Sequence, residues 1–205
     1  MANNDDLMFR IKCMYEAIGD IEETDFGKFK PKVVKKDGRI GIYQDWSGEL
    51  NDAQRTNYLE SLIKNIASFE YYLDKWVDNN NLEKNKVKQT FENSLELKIV
   101  HDLWNNSKHA GLARRSNSGL YPRIENINTV MQMTTKPEKG SFISLTLNRQ
   151  GAPRIMGDGS AKVVITGDIL DRDGNKIGDL HEILLKAIND WEEVLREFGV
   201  QIPSN

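Results

Sequence analysis

Apolar positions recur at i, i+3 and i+4 in four stretches of the chain, and each stretch predicts a helix with one buried face. Leu7, Met8, Ile11, Met14, Tyr15 and Ile18 mark the first, over 5–18, with Gly19 as its stop. The second starts at Asn51 as N-cap. It runs through Leu59, Leu62, Ile63, Ile66, Phe69, Leu73, Trp76 and Val77 to Asn79-Asn80-Asn81. The third carries Val87, Phe91, Leu95, Ile99 and Leu103 on a drifting stripe towards Gly111. So short a turn between two long helices makes them pack antiparallel. The last begins at Asp179, with Glu182 three residues on as a capping-box partner, and runs from Leu180 to Phe198 before Gly199.

Elsewhere the pattern favours strands. Asp37-Gly38 sits between β-branched and aromatic residues, so 33–43 reads as a hairpin, and its lysines read as a solvated face. Three β-rich runs, 123–135, 142–149 and 161–170, are separated by KPEKG and GAPRIMGDGS. The expected fold is therefore α+β and mainly α. A bundle of about four main helices (5–18, 51–111 and 179–198) carries a small antiparallel β-meander at 120–178, inserted before the last helix, all in a single domain over 1–205.

Composition narrows the class. With 205 residues, 39% hydrophobic and 29% charged, the chain buries a core and is neither disordered nor membrane-spanning. No apolar run reaches the length of a bilayer span, so no membrane association is expected. MANNDDLMF lacks the basic and apolar regions of a signal peptide. The single cysteine, Cys13, fits a reducing cytoplasm and reads as a buried, inert thiol. A net charge of −3 confines any nucleic-acid contact to a local basic patch.

Two loops imitate ligand sites. In DRDGNKIGD, Asp171, Asp173, Asn175 and Glu182 fall at calcium-loop positions, but Lys176 occupies the glycine position and no helix precedes. The segment reads instead as a turn at Asp173-Gly174 feeding the last helix. GAPRIMGDGSAK, 151–162, fails the spacing and context of a phosphate loop and reads as flexible. His181, beside Asp179 and Glu182, reads as a solvated surface histidine. No metal and no cofactor is expected.

The chemistry concentrates in HDLWNNSKHAG, 101–111. On a helical wheel Asp102, Asn106 and His109 continue the buried arc of Phe91, Leu95 and Ile99, and Asn105 stands at its edge. Trp104, Lys108 and His101 point elsewhere. Polar groups on a buried stripe need hydrogen-bond partners, so the cluster is an internal network or a site. His101 and His109 diverge by about 80° on the wheel, unlike a helical zinc pair.

This stretch, W-N-N-S-K-H-A-G at the end of a long helix, resembles the R-x4-6-H motif of the HEPN superfamily and a bacterial N-x-x-K-H branch of similar plan. Asn105 matches the polar position, His109 the histidine and Gly111 the small residue that follows, whereas Trp104 stands where the arginine belongs. The resemblance covers 50–112 and 179–198. It implies a homodimer and, in active members, metal-independent cleavage of single-stranded RNA, with the histidine moving a proton and the arginine stabilising phosphate charge. Carried over, His109, Asn105 and Lys108 are the catalytic candidates, Asp102 and Asn106 a polar network, and Arg114, Arg115 and Arg123 the phosphate-binding candidates. With the arginine missing, the adopted expectation is a non-catalytic HEPN-like binding or interaction protein, taking RNA, a nucleotide or a protein partner. The alternative is a dimeric endoribonuclease or toxin of a defence system.

Overall fold

The computed structural model describes residues 4–17, 32–36, 39–43, 52–108, 115–149 and 153–202. Among these are five helices: α1 (Asn4–Ala17), α2 (Asp52–Asn79), α3 (Asn85–Asn93), α4 (Leu95–Lys108) and α5 (Leu180–Glu197). The strands are β1 (Lys32–Lys36), β2 (Arg39–Tyr43), β3 (Arg123–Thr134), β4 (Ile143–Leu147), β5 (Pro153–Gly157), β6 (Ser160–Leu170) and β7 (Lys176–Asp179). The class is α+β, as expected. Gly19, Asn51, the turn Asp37-Gly38, His109, Gly111 and Arg114 lie outside the described residues, as does the side chain of Lys108. No helix among the described residues is long and apolar enough to cross a membrane.

The chain forms two compact units. One comprises Met1–Ile18, Thr56–Ile127 and Gly167–Asn205; the other comprises Gly19–Arg55 and Asn128–Thr166.

The core of the first unit follows from the periodicity. Leu7, Ile11 and Met14 of α1 are buried, as is the α2 stripe from Leu59 to Val77. Leu180, Leu184, Ile188, Trp191 and Leu195 line the inner face of α5. Trp191 meets Phe69 with ring centroids 6.0 Å apart. Burying side chains of this size contributes about 1.5–3 kcal/mol each, the main force holding these helices. Asp179 is the N-cap of α5, its carboxylate accepting the N–H of His181 at 2.9 Å and of Glu182 at 3.4 Å. Gly199, at φ +75°, closes that helix in the left-handed region.

Four expectations need correction. The third predicted helix is two, because Ser94 leaves helical geometry at φ −85° and ψ 120°. Its hydroxyl accepts the Leu97 N–H at 3.0 Å, which starts α4, and donates to Asp190 at 2.5 Å. The break resets the phase of the stripe, so Leu95 is exposed while Leu97, Ile99, Val100 and Leu103 are buried. Second, GAPRIMGDGSAK is not a flexible loop throughout: Pro153–Gly157 is β5, antiparallel to β4, and Ile155 packs against buried Val163. Third, His181 is buried at 4% exposure, since the first turn of α5 enters the core along with Leu180 and Ile183. Fourth, Cys13 is half-buried rather than buried.

The strands form small sheets: β1 with β2, β4 with β5, and β3, β6 and β7 in the order β3-β6-β7. The pairs β1–β2, β4–β5 and β6–β7 are antiparallel. Gly157 is required where it stands: φ is +116°, and a Cβ would lie 2.1 Å from the Phe142 carbonyl oxygen. The DRDGN segment is a turn, as expected. Asp171 accepts from the N–H groups of Asp173 and Asn175 at 2.9 and 2.8 Å, which occupies the carboxylate within its own loop.

Candidate functional site

Asp102 is the node of the polar cluster. It lies on the inner face of α4, 3% exposed, where the wheel puts it. Its Oδ1 accepts the Asn117 N–H at 2.8 Å and the Asn117 amide at 3.2 Å. Its Oδ2 accepts the hydroxyls of Ser116 at 2.5 Å and Ser118 at 2.7 Å, and the Ser118 N–H at 2.9 Å. Burial pushes the carboxyl pKa up, but the hydroxyl and backbone donors outweigh it and hold it below the usual carboxylate value. The carboxylate is thus kept ionised and fully bonded, and it fixes the polar loop 115–120 against the helix.

The rest of the cluster extends this scaffold. The Asn106 amide donates to the Pro122 carbonyl at 3.0 Å, anchoring the chain as it enters β3. His101 Nδ1 accepts from the amides of Asn105 at 3.0 Å and Asn117 at 2.9 Å. Asn117 therefore gives one hydrogen to His101 and the other to Asp102. The His101 ring meets Phe91 and Trp104 edge-on, at centroid distances of 5.5 and 5.9 Å.

Of the phosphate-binding candidates, Arg123 is already engaged. Its Nε donates to Glu125 at 2.8 Å and its Nη1 to the Asp171 carbonyl at 3.0 Å. Arg115 is exposed on the loop. Asp102, Asn105 and Asn106 come together; Arg123 serves a different junction, with the turn after β6.

A cleft lies on the other side of α4, where Trp104 of the motif meets residues from outside it. It encloses about 550 Å³, and its walls include Arg10 of α1, Lys64, Glu70 and Tyr72 of α2, and His101 and Trp104 of α4. The Arg10 guanidinium lies over the Tyr72 ring, 4.0 Å from its centroid. Its Nε lies 3.7 Å from an Asp6 carboxylate oxygen and, although buried, has no hydrogen-bond partner among the described residues. Burial, and then the charge of Asp74 one turn on, push the Glu70 carboxyl up. Asp74 is also raised, by burial first; Lys84 acts against this and Asp78 with it. Two carboxylates spaced i, i+4 beside buried aromatic residues were the sequence signal for this wall; Arg10, some sixty residues earlier, had none.

Among the described residues no three His, Cys, Asp or Glu side chains gather as a metal site. No protein family, curated protein or solved structure matches this chain.

Proposed function

We propose that this chain is a HEPN-like binding protein that does not cleave RNA, and that its ligand is a nucleotide held in the cleft between α2 and α4. On this reading the helices form a HEPN-like bundle with the strands β3–β7 set before its last member, and the protein works as a homodimer in the cytoplasm. The observation that carries it is the bonding of Asp102, whose carboxylate is spent on Ser116, Asn117 and Ser118. The polar end of α4 acts as scaffold, and the motif position for arginine holds Trp104. The cleft supports the ligand class. Arg10 and Lys64 offer cations to a phosphate, Trp104 and Tyr72 offer aromatic surface to a base, and the raised carboxyls of Glu70 and Asp74 offer acceptors to its amino groups.

The test titrates purified protein with adenosine and guanosine mono- and triphosphates, followed by tryptophan fluorescence, and incubates it with a single-stranded RNA without metal. The expected result is saturable binding, weakened about tenfold by Arg10→Gln through loss of a charged phosphate contact, with the RNA intact. RNA cleavage that disappears in His109→Ala would establish the ribonuclease alternative and overturn the reading. So would an absence of saturable binding to every nucleotide tried.

A further inference from the structure

The cleft between α2 and α4 is polarised. Glu70 and Tyr72 both line it, and at helical spacing two neighbours of this kind leave α2 about 160° apart. They therefore form opposite rims. The Arg10 guanidinium lies on the Tyr72 rim, 4.0 Å from the ring centroid. The Glu70 rim faces α4. Glu70 and Asp74 also border a neighbouring hollow with Phe91 and Asn117, both of which touch His101. His101 in turn meets the ring of Trp104. A cation thus stands on one rim and carboxylates beside a series of rings on the other, an order that suits the phosphate and the base of one nucleotide.

The two acids are not equivalent. Burial pushes the Asp74 carboxyl up, Lys84 draws it down and Asp78 pushes it up again. Both influences on Glu70, burial first and the Asp74 charge second, push upwards. Glu70 is a half-buried carboxylate whose surroundings oppose its charge, and donors from a ligand relieve that opposition.

An ionised carboxylate accepts hydrogen bonds and donates none. Its two oxygens match two donors that stand side by side. Among the common bases, guanine carries such a pair on its pairing edge, the N1–H and the 2-amino group. Adenine and cytosine set an amino group beside a ring-nitrogen acceptor, whose lone pair a carboxylate repels. Uracil sets a single N–H between two carbonyls.

We infer that Glu70 is the specificity-determining residue of this cleft and that it selects guanine, its oxygens accepting from the N1–H and the 2-amino group while the base lies along the ring-lined rim of α4. This choice of base rests on the cleft binding a nucleotide, as proposed above, and says which nucleotide it takes.

The test is isothermal titration calorimetry of the full chain with guanosine, inosine and adenosine monophosphates. Inosine keeps the N1–H and lacks only the 2-amino group. The wild type should bind the guanosine nucleotide about tenfold more tightly than the inosine one, through one more hydrogen bond to a charged group, and the adenosine nucleotide most weakly. Glutamine presents an acceptor beside a donor, which fits adenine. Glu70→Gln should therefore erase the gap between guanosine and inosine and turn the preference towards adenosine, whereas a merely structural role would move all three affinities together. Equal binding of the guanosine and inosine nucleotides by the wild type overturns the inference and leaves nucleotide binding standing. So does a folded Glu70→Gln protein that keeps the wild-type order. If that variant does not fold, the wild-type comparison decides. Absence of binding by all three monophosphates also overturns the inference, and the triphosphates then decide whether the cleft binds nucleotides at all.

Discussion

Asp102 shows how much one side chain organises. It sits among buried leucine, isoleucine and valine, where a bare carboxylate costs several kcal/mol, and two hydroxyls, two backbone N–H groups and an amide offset that cost. Asp102→Ala strands these donors beneath the loop. It should cost about 2–3 kcal/mol in urea unfolding, the range for a bond to a charged group plus an unsatisfied partner. The pH dependence follows from the direction of its shift. The folded carboxyl is lower than the unfolded one, so its contribution is complete above the unfolded value of about 3.9 and is lost as pH falls through the folded value. Asp102→Asn should therefore flatten the acid limb of the stability curve. An acid limb as steep as the wild type's would show that the loop does not depend on the charge.

At the scale of elements, the corner where α3 ends and α4 begins has the opposite electrostatics. Ser94 ties the break to Asp190 of α5, whose carboxyl is pushed up by burial; the Ser94 hydroxyl pulls it down, and Glu96 and Glu193 push it up again. An acid with a raised folded value loses stability as pH rises through that value. Asp190→Asn should thus raise Tm at neutral pH, with the gain fading as pH falls below about 4, where the unfolded aspartate is itself neutral. A Tm unchanged or lower at neutral pH would mean that the Ser94 bond to a charged partner outweighs the burial. The break itself was invisible to periodicity, because a four-residue spacing from Val87 to Leu103 reads as one drifting helix. Ser94 has ordinary helix tolerance, and what stops the helix there is a partner ninety-six positions away.

At the scale of the molecule, the longest runs of buried side chains among the described residues lie in the helices of the first unit. α2 and α5 of the first hold a long run of buried side chains, with Phe69 against Trp191. In the second, Val163, Val164 and Ile165 of β6 are buried, with Met131, Ile155 and Ala161 packed against Val163, while 143–147 are half-buried or exposed. Local stability follows buried apolar contact, so amide exchange should be slowest in 62–77 and 183–195 and markedly faster in 143–147. Faster exchange in α5 than in β4 at low protein concentration would contradict this ordering.

Period and turn chemistry act over a few neighbouring residues, and what they control was legible in the sequence. They set the existence and inner faces of α1, α2 and α5, the cap at Asp179, the turn at Asp173-Gly174 and the placement of Asp102 on a buried stripe. Tertiary structure decided the choices of partner: that Ser116–Ser118 fill the carboxylate of Asp102, that Arg123 serves the turn after β6, that His181 enters the core, and that Arg10 closes a cleft against Tyr72 and Trp104. The reason is physical. A helix wheel says which way a side chain points, but a hydrogen bond, an ion pair or a stacked ring needs a second group. Where that group stands in the chain depends on how the elements pack.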